Sequence, residues 1–373
     1  MQRSRILILW NQVDDDVYTH YRRDDRRSVD WDPSLAVEPW ETVEEEMELI
    51  KRSVESGGHD VAMVNIRDNF DTMLDALRTI KPDVVMNLVE FFRDDAELEH
   101  DVPALFELLD IEYTGNRPLA LSLCQKKPQA KALLMAHGLP VPRGLLVDDI
   151  SQIDNHQLRY PIMVKPAYDD ASGGIDTGSV VHDLEQLRAR VTRVVHEHKQ
   201  PALVEEFIDG REIHCAILGN QPLPLYEMQF KGGTDEAGKL LPKIITYRAK
   251  WDPYSRDHHA VQGVCPAPDL DDATRQRIEE TAMKAYRALN CRDYARVDMR
   301  LDATNQPYIL EVNPNPDLAE SCAFHMSAIA AGRNYAGMIC ELIEMALARK
   351  KGPKRAITGI DALLNEYRAK KSV

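Results

Sequence analysis

The first third of the chain alternates short apolar runs with stretches of helical periodicity. Three apolar runs have the length of buried strands, at residues 6–10, 61–66 and 84–88. Between them, Thr42 and Glu45 form the capping-box pattern that begins a helix, and Gly57 supplies its end. The spacing of apolar residues also predicts helices at 70–80 and 102–109. This alternation predicts a parallel sheet with helices on both faces.

Two stretches interrupt or end this pattern. Residues 14–40 are rich in acids, arginines and prolines, and we expect a long surface loop there. Residues 126–137 form another helical pattern, which ends at Gly138 and is followed by Pro140 and Pro142. A different arrangement of elements begins after these prolines.

The remainder of the chain predicts two further groups of elements. The first group has strands at 162–165, 179–182 and 202–207 and a helix at 183–198. In the second group strands dominate, at 213–218, 223–230, 244–249, 295–301 and 308–313, with flanking helices at 271–289 and 335–349. The chain is therefore predicted to be an α/β protein (α+β multidomain). We assign an N-terminal parallel α/β domain to 1–125, a central subdomain to 126–210, a C-terminal subdomain to 211–348 and a basic tail to 349–373.

Composition and charge exclude several classes of protein. The 373 residues include 46 Lys and Arg against 61 Asp and Glu, a formal net charge of −15 that repels nucleic acids. There is no apolar run long enough to span a membrane, and the six cysteines form no C-x-x-C pair. We expect a cytoplasmic protein with reduced thiols and neither nucleic-acid nor membrane partners. The tail carries eight basic and two acidic residues, which suits either a solvated helix or a docking segment for an acidic peptide.

The strongest chemical signal lies on two predicted strands joined by a polar turn at 303–306. Alternation puts Arg296 and Asp298 on one face, and Glu311 and Asn313 on another common face. Antiparallel pairing brings Asp298 close to Glu311 and Asn313. Two carboxylates and an amide oxygen form an all-oxygen site that suits Mg²⁺, which accepts carboxylates together with nucleotide phosphates.

Two further signals point to an anionic ligand. Lys165 ends an apolar strand, where a lysine is costly unless an anion meets it. The following loop contains Ser172, Gly173 and Gly174, whose backbone N–H groups can approach phosphates closely, and we expect it to be mobile without a ligand. The strand at 202–207 is followed by acidic residues and a glycine turn, an arrangement that suits the binding of an adenine ring and ribose hydroxyls.

The order of these motifs along the chain resembles the ATP-grasp superfamily, and within it the D-alanine–D-alanine ligase group. The motifs, which span about residues 80 to 348, are Tyr113-Thr114-Gly115, Lys127, Val164-Lys165-Pro166, Ser172-Gly173-Gly174, Val204-Glu205-Glu206, Gly210-Arg211-Glu212, Ala249-Lys250, Arg296-x-Asp298 and Glu311-x-Asn313-Pro. The resemblance implies an ATP-grasp architecture of three α/β domains, with ATP held between the central and C-terminal ones.

The resemblance also implies a role for each residue of the site. The nucleotide contacts are Lys127 and Lys165 at the phosphates, Ser172, Gly173 and Gly174 in a lid loop, Glu205 at the adenine amino group, the backbone of Glu206, Phe207 and Ile208 beside the adenine, and Glu212 at the ribose hydroxyls. The reaction centre consists of Lys250 at the transferring phosphate, Arg296 at the developing negative charge, and Asp298, Glu311 and Asn313 around two Mg²⁺ ions, with Mn²⁺ as an alternative.

The implied activity is ATP-dependent ligation of a carboxylate to an amine through an acyl phosphate. The chain departs from the family's pattern at 85–90, where a histidine- and glycine-rich segment is expected, and at Cys322, near the position of a substrate-binding serine. We therefore expect small-molecule or peptide substrates other than D-alanine. The alternatives are a kinase acting on a small alcohol, a peptide-modifying ligase of a natural-product pathway and a non-catalytic nucleotide-binding module. The sequence is also compatible with a homodimer.

Overall fold

The computed structural model describes residues 3–13, 27–37, 42–93 and 95–350. The first elements in chain order are β1 (Arg5–Trp10), β2 (Arg27–Val29), β3 (Asp32–Val37), α1 (Val43–Ser56), β4 (Asp60–Asn65), α2 (Phe70–Ile80), β5 (Val84–Leu88), α3 (Asp101–Leu108), β6 (Glu112–Tyr113) and α4 (Pro118–Gln125). Strands β4, β1, β5 and β6 form a parallel sheet in that order, which confirms the predicted parallel arrangement. The capping box of Thr42 and Glu45 at the start of α1 is also confirmed.

The stretch predicted as a surface loop at 14–40 contains an antiparallel hairpin. Its described part, 27–37, pairs β2 with β3, so the loop prediction is wrong for these residues. The rest of this stretch, and residues 351–373 of the predicted basic tail, lie outside the described residues.

A second sheet follows the helix that carries the first predicted phosphate-binding lysine. Its elements are α5 (Lys127–Ala136), β7 (Gly144–Val147), β8 (Ile162–Pro166), β9 (Val180–Val181), α6 (Leu184–Glu197) and β10 (Ala202–Glu206). The strands pair antiparallel in the order β7-β10-β8-β9. Helix α6 covers one face, where Leu187, Val191 and Val194 pack against Val164 and Val204. The predicted lid loop, 169–178, connects β8 to β9.

The third sheet contains the strands of the predicted reaction centre. Its elements are β11 (Glu212–Leu218), β12 (Gln221–Pro222), β13 (Tyr226–Phe230), α7 (Tyr247–Trp251), α8 (Arg256–His259), β14 (Val261–Val264), α9 (Asp272–Ala288), β15 (Tyr294–Leu301), β16 (Pro307–Asn313), α10 (Ala323–Ala330) and α11 (Tyr335–Arg349). The main strands run antiparallel in the order β14-β13-β11-β15-β16, and β12 pairs with β11. The three sheets fall within the three predicted domains, whose exact boundaries stay predictions.

The strand predicted at 244–249 is wrong, because a short helix begins there. The Thr246 hydroxyl accepts a hydrogen bond from the backbone N–H of Ala249 and caps α7. A threonine in this position offers the backbone a local partner that competes with strand pairing. Lys250 therefore lies on α7 rather than at the end of a strand.

The last helix of the chain closes the core of the first sheet. Met338, Ile339 and Leu342 of α11 are fully buried against Ile8 and Met86 on one face of that sheet. The opposite face packs against α2 and α3, as the alternation of apolar residues predicts. Among the helices of the described residues, none has the length and apolarity needed to cross a bilayer.

Candidate functional site

The reaction centre predicted from the sequence lies on the adjacent strands β15 and β16. The register places Arg296 opposite Asn313 and Asp298 opposite Glu311. Residues directly opposite each other in an antiparallel pair project from the same face of the sheet. The expectation of two separate faces is therefore wrong, because all four residues share one face.

Arg296 and Asp298 form a bidentate ion pair in the middle of this face. The arginine Nε and one terminal nitrogen lie 2.7 and 2.8 Å from the two carboxylate oxygens. Burial alone would raise the pKa of Asp298, but Arg296, and after it His214 and Lys250, together lower the pKa to about 2. Asp298 is therefore ionised throughout the neutral range, as a metal-binding carboxylate must be.

Glu311 and Asn313 complete an oxygen-rich donor set. Glu311 has one carboxylate oxygen 3.9 Å from Nζ of Lys127, and the side-chain oxygen of Asn313 accepts a hydrogen bond from the backbone of Asn315 at 2.9 Å. Within the part of the chain that the structure describes, no group of three or more His, Cys, Asp or Glu residues is arranged as a metal site. Two carboxylates and one amide oxygen fit Mg²⁺, which takes its remaining ligands from phosphates and water.

Helix α5 carries lysines toward both neighbouring sheets. Lys127 donates a hydrogen bond to the carbonyl oxygen of Asp169 in the lid loop at 2.5 Å, in addition to its approach to Glu311. One turn later, Lys131 lies 2.7 Å from the carboxylate of Glu205 on β10. Lys131 is not among the residues predicted from the sequence, although its spacing of four residues from Lys127 places both on one helix face.

Glu205 is a buried carboxylate held between two lysines. Its second oxygen lies 3.5 Å from Nζ of Lys165, on the neighbouring strand β8. Burial alone would raise the pKa of Glu205, but Lys131 and Lys165 together lower it. An ionised carboxylate accepts hydrogen bonds at about four lone-pair positions, so both lysines leave room for a ligand donor such as an amino group.

The side chain of Glu206 lies on the other face of β10, away from these lysines. Its carboxylate accepts hydrogen bonds from Arg159 at 2.6 and 3.0 Å and lies 3.5 Å from Arg143. The backbone N–H groups of Glu206 and Phe207 donate to the carbonyl oxygens of Arg143 and Pro161. Only backbone contacts were expected of Glu206, and its side chain is a structural ion-pair partner.

Arg300, which is not among the residues predicted from the sequence, contacts the predicted adenine and ribose residues. Two of its nitrogens lie 3.0 and 2.9 Å from the carboxylate of Glu212, and a third donates to the carbonyl oxygen of Ile208 at 3.0 Å. Its guanidinium also lies 4.7 Å from the ring of Phe207 and 5.3 Å from that of Phe230. Burial alone would raise the pKa of Glu212, but Arg300 lowers it. Arg300 is recognisable in hindsight as the next same-face residue after Arg296 and Asp298.

Contacts from outside the lid loop hold its backbone in place. Arg190 on α6 donates to the carboxylate of Asp176 at 2.8 Å and to the carbonyl oxygen of Gly174. Gly174 has a φ of +65°, and a Cβ added there would lie 2.6 Å from the side chains of His198 and Pro166. Ser172 and Gly173 lie between these anchors and the contact of Lys127 with Asp169, and both are half-buried. These contacts hold the loop in the conformation described, and its mobility without a ligand stays a prediction.

Two acids of the first domain face the same region as Lys250 and Asp317. Glu99 accepts a hydrogen bond from the side chain of Asn315 at 2.9 Å. Desolvation and the nearby charge of Glu90 raise the pKa of Glu99 to about 8. The side chain of Glu90 is solvent-accessible, yet desolvation by the surrounding protein and the negative charge of Asp317 raise its pKa to about 7. These acids therefore hold a substantial fraction of their protons at neutral pH.

Replacement of Glu99 by glutamine is expected to change how stability depends on pH. Because the pKa of Glu99 is about 8 when folded against 4.5 ordinarily, the folded state keeps this proton between those values while the unfolded chain loses it. Wild-type stability therefore falls as pH rises through this window. Glu99→Gln, which mimics the protonated acid, should gain in thermal midpoint relative to wild type from about pH 5 to about pH 8.

The matched control for this measurement is Glu97→Gln. Glu97 is exposed, lies two residues away and pairs with Lys126 at the surface. Its thermal midpoint should run parallel to that of wild type across the same pH range. A Glu99→Gln curve that also runs parallel to wild type would show that the carboxyl of Glu99 is not desolvated.

The departures noted in the sequence have defined positions in the fold. Asn87 is buried at the end of β5, and its side-chain oxygen has no hydrogen-bond partner among the described residues. Cys322 is the N-cap of α10, and its thiol donates to the carboxylate of Asp317 at 3.0 Å. Burial, with the charge of Asp317 added, raises the pKa of this thiol well above its ordinary value. A protonated thiol beside an aspartate thus occupies the region where the family pattern places a serine.

The chain is similar to ligases in both sequence and fold. Residues 138–344 match the family described as D-ala D-ala ligase C-terminus. The chain is 36% identical over 272 residues to the uncharacterized protein y4sG of Sinorhizobium fredii, with 72% of this chain and 76% of that protein covered. It is 30% identical over 262 residues to the D-alanine–D-alanine ligase of Bordetella avium, with 68% and 76% covered. The D-alanine–D-alanine ligase of Bacillus anthracis complexed with ATP shares the fold, with a TM-score of 0.66, 20% identity and coverage of 93% and 98%.

Proposed function

Because the chain belongs to the D-alanine–D-alanine ligase family of ATP-grasp enzymes, we propose that it joins a carboxylate to an amine through an acyl phosphate, with substrates other than two D-alanines. Membership makes it an ATP-dependent ligase that forms a carbon–nitrogen bond and releases ADP. The observation that carries the proposal is the single face shared by Arg296, Asp298, Glu311 and Asn313. Lysine-rich α5 borders this face, which suits a nucleotide triphosphate.

The nucleotide is proposed to lie between the second and third sheets. Lys127 and Lys165 neutralise its phosphates, and the lid loop with Ser172, Gly173 and Gly174 covers them. Glu205 accepts a hydrogen bond from the adenine amino group, and Glu212, held by Arg300, accepts those of the ribose hydroxyls. Positioning and charge neutralisation of this kind supply most of the catalysis of phosphoryl transfer.

Asp298, Glu311 and Asn313 would hold Mg²⁺, whose charge would neutralise the phosphate oxygens when the ion is bound. The protein's own contribution is to keep both carboxylates ionised and on one face. Arg296 is the group that lowers the pKa of Asp298 most, and with a pKa of about 2 this carboxylate is ionised at neutral pH. Lys127, on α5, approaches the carboxylate of Glu311 to 3.9 Å.

The proposed reaction has two chemical steps. A carboxylate oxygen of the acid attacks the γ-phosphorus, the bond to the β–γ bridging oxygen breaks, and ADP leaves. The amine then attacks the carbonyl carbon of the acyl phosphate, and phosphate and a proton leave. Lys250 stabilises the transferring phosphoryl group, and Arg296 stabilises the oxyanion of the second step by preorganised charge.

The substrate pocket carries acids where a ligase for D-alanine needs other groups. Asp317 stands beside Cys322, so a substrate carboxylate at this position would meet a negative charge instead of a hydroxyl. Glu90 adds a second acid in the same region. D-Alanine alone is therefore expected to be a poor substrate. We place the reaction in the cytoplasm, where the six cysteines would stay reduced, as all are in the structure.

Hydroxylamine trapping tests this function without knowledge of the natural amine. A panel of amino acids, peptides and other carboxylic acids is incubated with enzyme, Mg-ATP and hydroxylamine. The expected product is an acyl hydroxamate with one ADP formed per hydroxamate. Release of AMP would contradict the proposed chemistry, and a stable phosphorylated alcohol would establish the kinase alternative. Efficient synthesis of D-alanyl-D-alanine would contradict the substrate assignment.

Lys165→Ala is expected to weaken ATP binding about tenfold, or ~1.4 kcal/mol, because a charge-assisted contact to phosphate is lost. The control is Lys284→Ala, which removes an exposed lysine from α9. Isothermal titration with a non-hydrolysable ATP analogue measures both. Equal affinity in the two variants would show that the phosphates do not lie at the end of β8.

A further inference from the structure

The hairpin of β2 and β3 contacts the segment that carries Lys250. Trp31, at the turn of the hairpin, donates a hydrogen bond from its indole nitrogen to the carbonyl oxygen of Tyr254 at 2.9 Å. The guanidinium of Arg256 lies 4.8 Å from the centre of the indole ring, and the ring of His259 meets it edge-on at 5.4 Å. Three contacts of different kinds thus join one side chain to residues more than 220 positions later in the chain.

The segment that Trp31 contacts is a compact helical corner, which we define as residues 246–260. It consists of α7 and α8, which are five and four residues long. Internal hydrogen bonds tie the two helices together: the ring of His258 bonds the carbonyl oxygen of Ala249, and the hydroxyl of Ser255 donates to that of Arg248. A displacement of α8 is therefore transmitted to the residues next to Lys250.

The opposite side of the helical corner contacts the lid loop. The indole nitrogen of Trp251 donates to the carbonyl oxygen of Ala171 at 3.0 Å, and the backbone N–H of Tyr247 donates to that of Ile175 at 2.8 Å. The ammonium group of Lys250 lies 5.0 Å from the ring of Trp251. The helical corner is thus held between the lid loop on one side and the hairpin on the other.

Helices of four and five residues are far too short to be stable alone, because isolated helices in water need about 12 to 15 residues. The helical corner therefore takes its position from its anchors. We propose that Trp31 is a positioning residue that fixes the helical corner against the lid loop and so places Lys250 at the transferring phosphate. The inference rests on the proposed function for the role of Lys250.

Trp31→Ala, compared with Trp31→Phe, tests the inference in the full-length chain. Phenylalanine keeps an aromatic ring against Arg256 and His259 but cannot donate to the Tyr254 carbonyl. The control is Ser34→Ala, which removes a hydrogen bond to Asp32 at an exposed position of β3 in the same hairpin. Hydrogen exchange of the amides in 246–260 is measured without nucleotide, and steady-state kinetics are measured with an acid found by hydroxylamine trapping.

In Trp31→Ala, amides of the helical corner should exchange about tenfold faster, since an anchor is lost. We expect kcat to fall about tenfold while KM for ATP changes less than about twofold, because a misplaced Lys250 affects the transition state more than binding. The exchange rate and kcat of Trp31→Phe should lie between those of Trp31→Ala and wild type. Both quantities should match wild type in Ser34→Ala. A role confined to covering apolar surface would lower the thermal midpoint without this split between kcat and KM.

Unchanged exchange in 246–260, or an unchanged kcat, would overturn the inference. If Trp31→Ala fails to fold, Arg256→Gln gives the comparison from the other side of the contact, with a smaller acceleration of exchange expected in the same segment. Unaccelerated exchange in that variant would also overturn it. If wild type forms no ADP with any acid, the proposed function fails, while the exchange data still decide whether Trp31 anchors the helical corner.

Discussion

Glu311→Gln is expected to lower turnover by about a thousandfold or more while the protein remains folded, because it removes one charge from the proposed metal face without changing side-chain shape. Glu311 lies opposite Asp298 in the register and is partly accessible to a ligand. Its replacement also removes the negative charge that lies 3.9 Å from Nζ of Lys127. The measurement is ADP formation at saturating ATP and Mg²⁺, with the thermal midpoint recorded for the same preparation.

Glu320→Gln is the matched control for this variant. Glu320 is an exposed glutamate in the loop that follows β16, nine residues beyond Glu311. Its turnover should match that of wild type. If Glu311→Gln retained turnover within about tenfold of wild type, a metal-dependent reaction at this face would be contradicted.

Arg296→Lys is expected to lower kcat by about a hundredfold to a thousandfold, the cost of losing one preorganised donor to a developing oxyanion. Lysine keeps the charge but cannot make the two parallel bonds by which Arg296 holds Asp298. The pKa of Asp298 should rise as a result, since Arg296 is the main group that lowers it. Single-turnover measurement of ADP and hydroxamate formation separates the two chemical steps.

The control for this substitution is Arg275→Lys on the exposed surface of α9. It should leave both steps unchanged. A kcat for Arg296→Lys equal to that of wild type would remove Arg296 from the reaction centre. Slower hydroxamate formation with normal ADP formation would place Arg296 in the second step alone.

Local sequence signals predicted much of the fold because the elements concerned are determined by local periodicity and caps. The predicted helices Phe70–Ile80 and Tyr335–Arg349 have the observed bounds. The strand prediction for residues 244–249 was wrong because their apolar and β-branched residues suggest a strand, whereas the Thr246 cap begins a helix. The hairpin at 27–37 was missed because its aspartates and Pro33 favour a loop, while the contacts of Trp31 lie far away in sequence.

The candidate site was predictable where its residues share one pair of strands. Asp298 and Glu311 could be paired from the antiparallel strands and their connecting turn, and the register agrees, whereas the two faces expected from the alternation are one face. Lys131 and Arg300 were missed because their partners, Glu205 and Glu212, lie on other elements. An ion pair between distant elements leaves no periodic signal in the sequence, and only the fold shows which charges meet.

Transfer of oxygen-18 from the substrate acid to phosphate tests the proposed mechanism most directly. An acid identified by hydroxylamine trapping is labelled in both carboxylate oxygens and turned over with Mg-ATP and an amine. Attack of the carboxylate on the γ-phosphorus predicts one labelled oxygen in each phosphate released, together with unlabelled ADP. Phosphate without the label, or label recovered in AMP, would contradict an acyl phosphate formed at the face of Arg296, Asp298, Glu311 and Asn313.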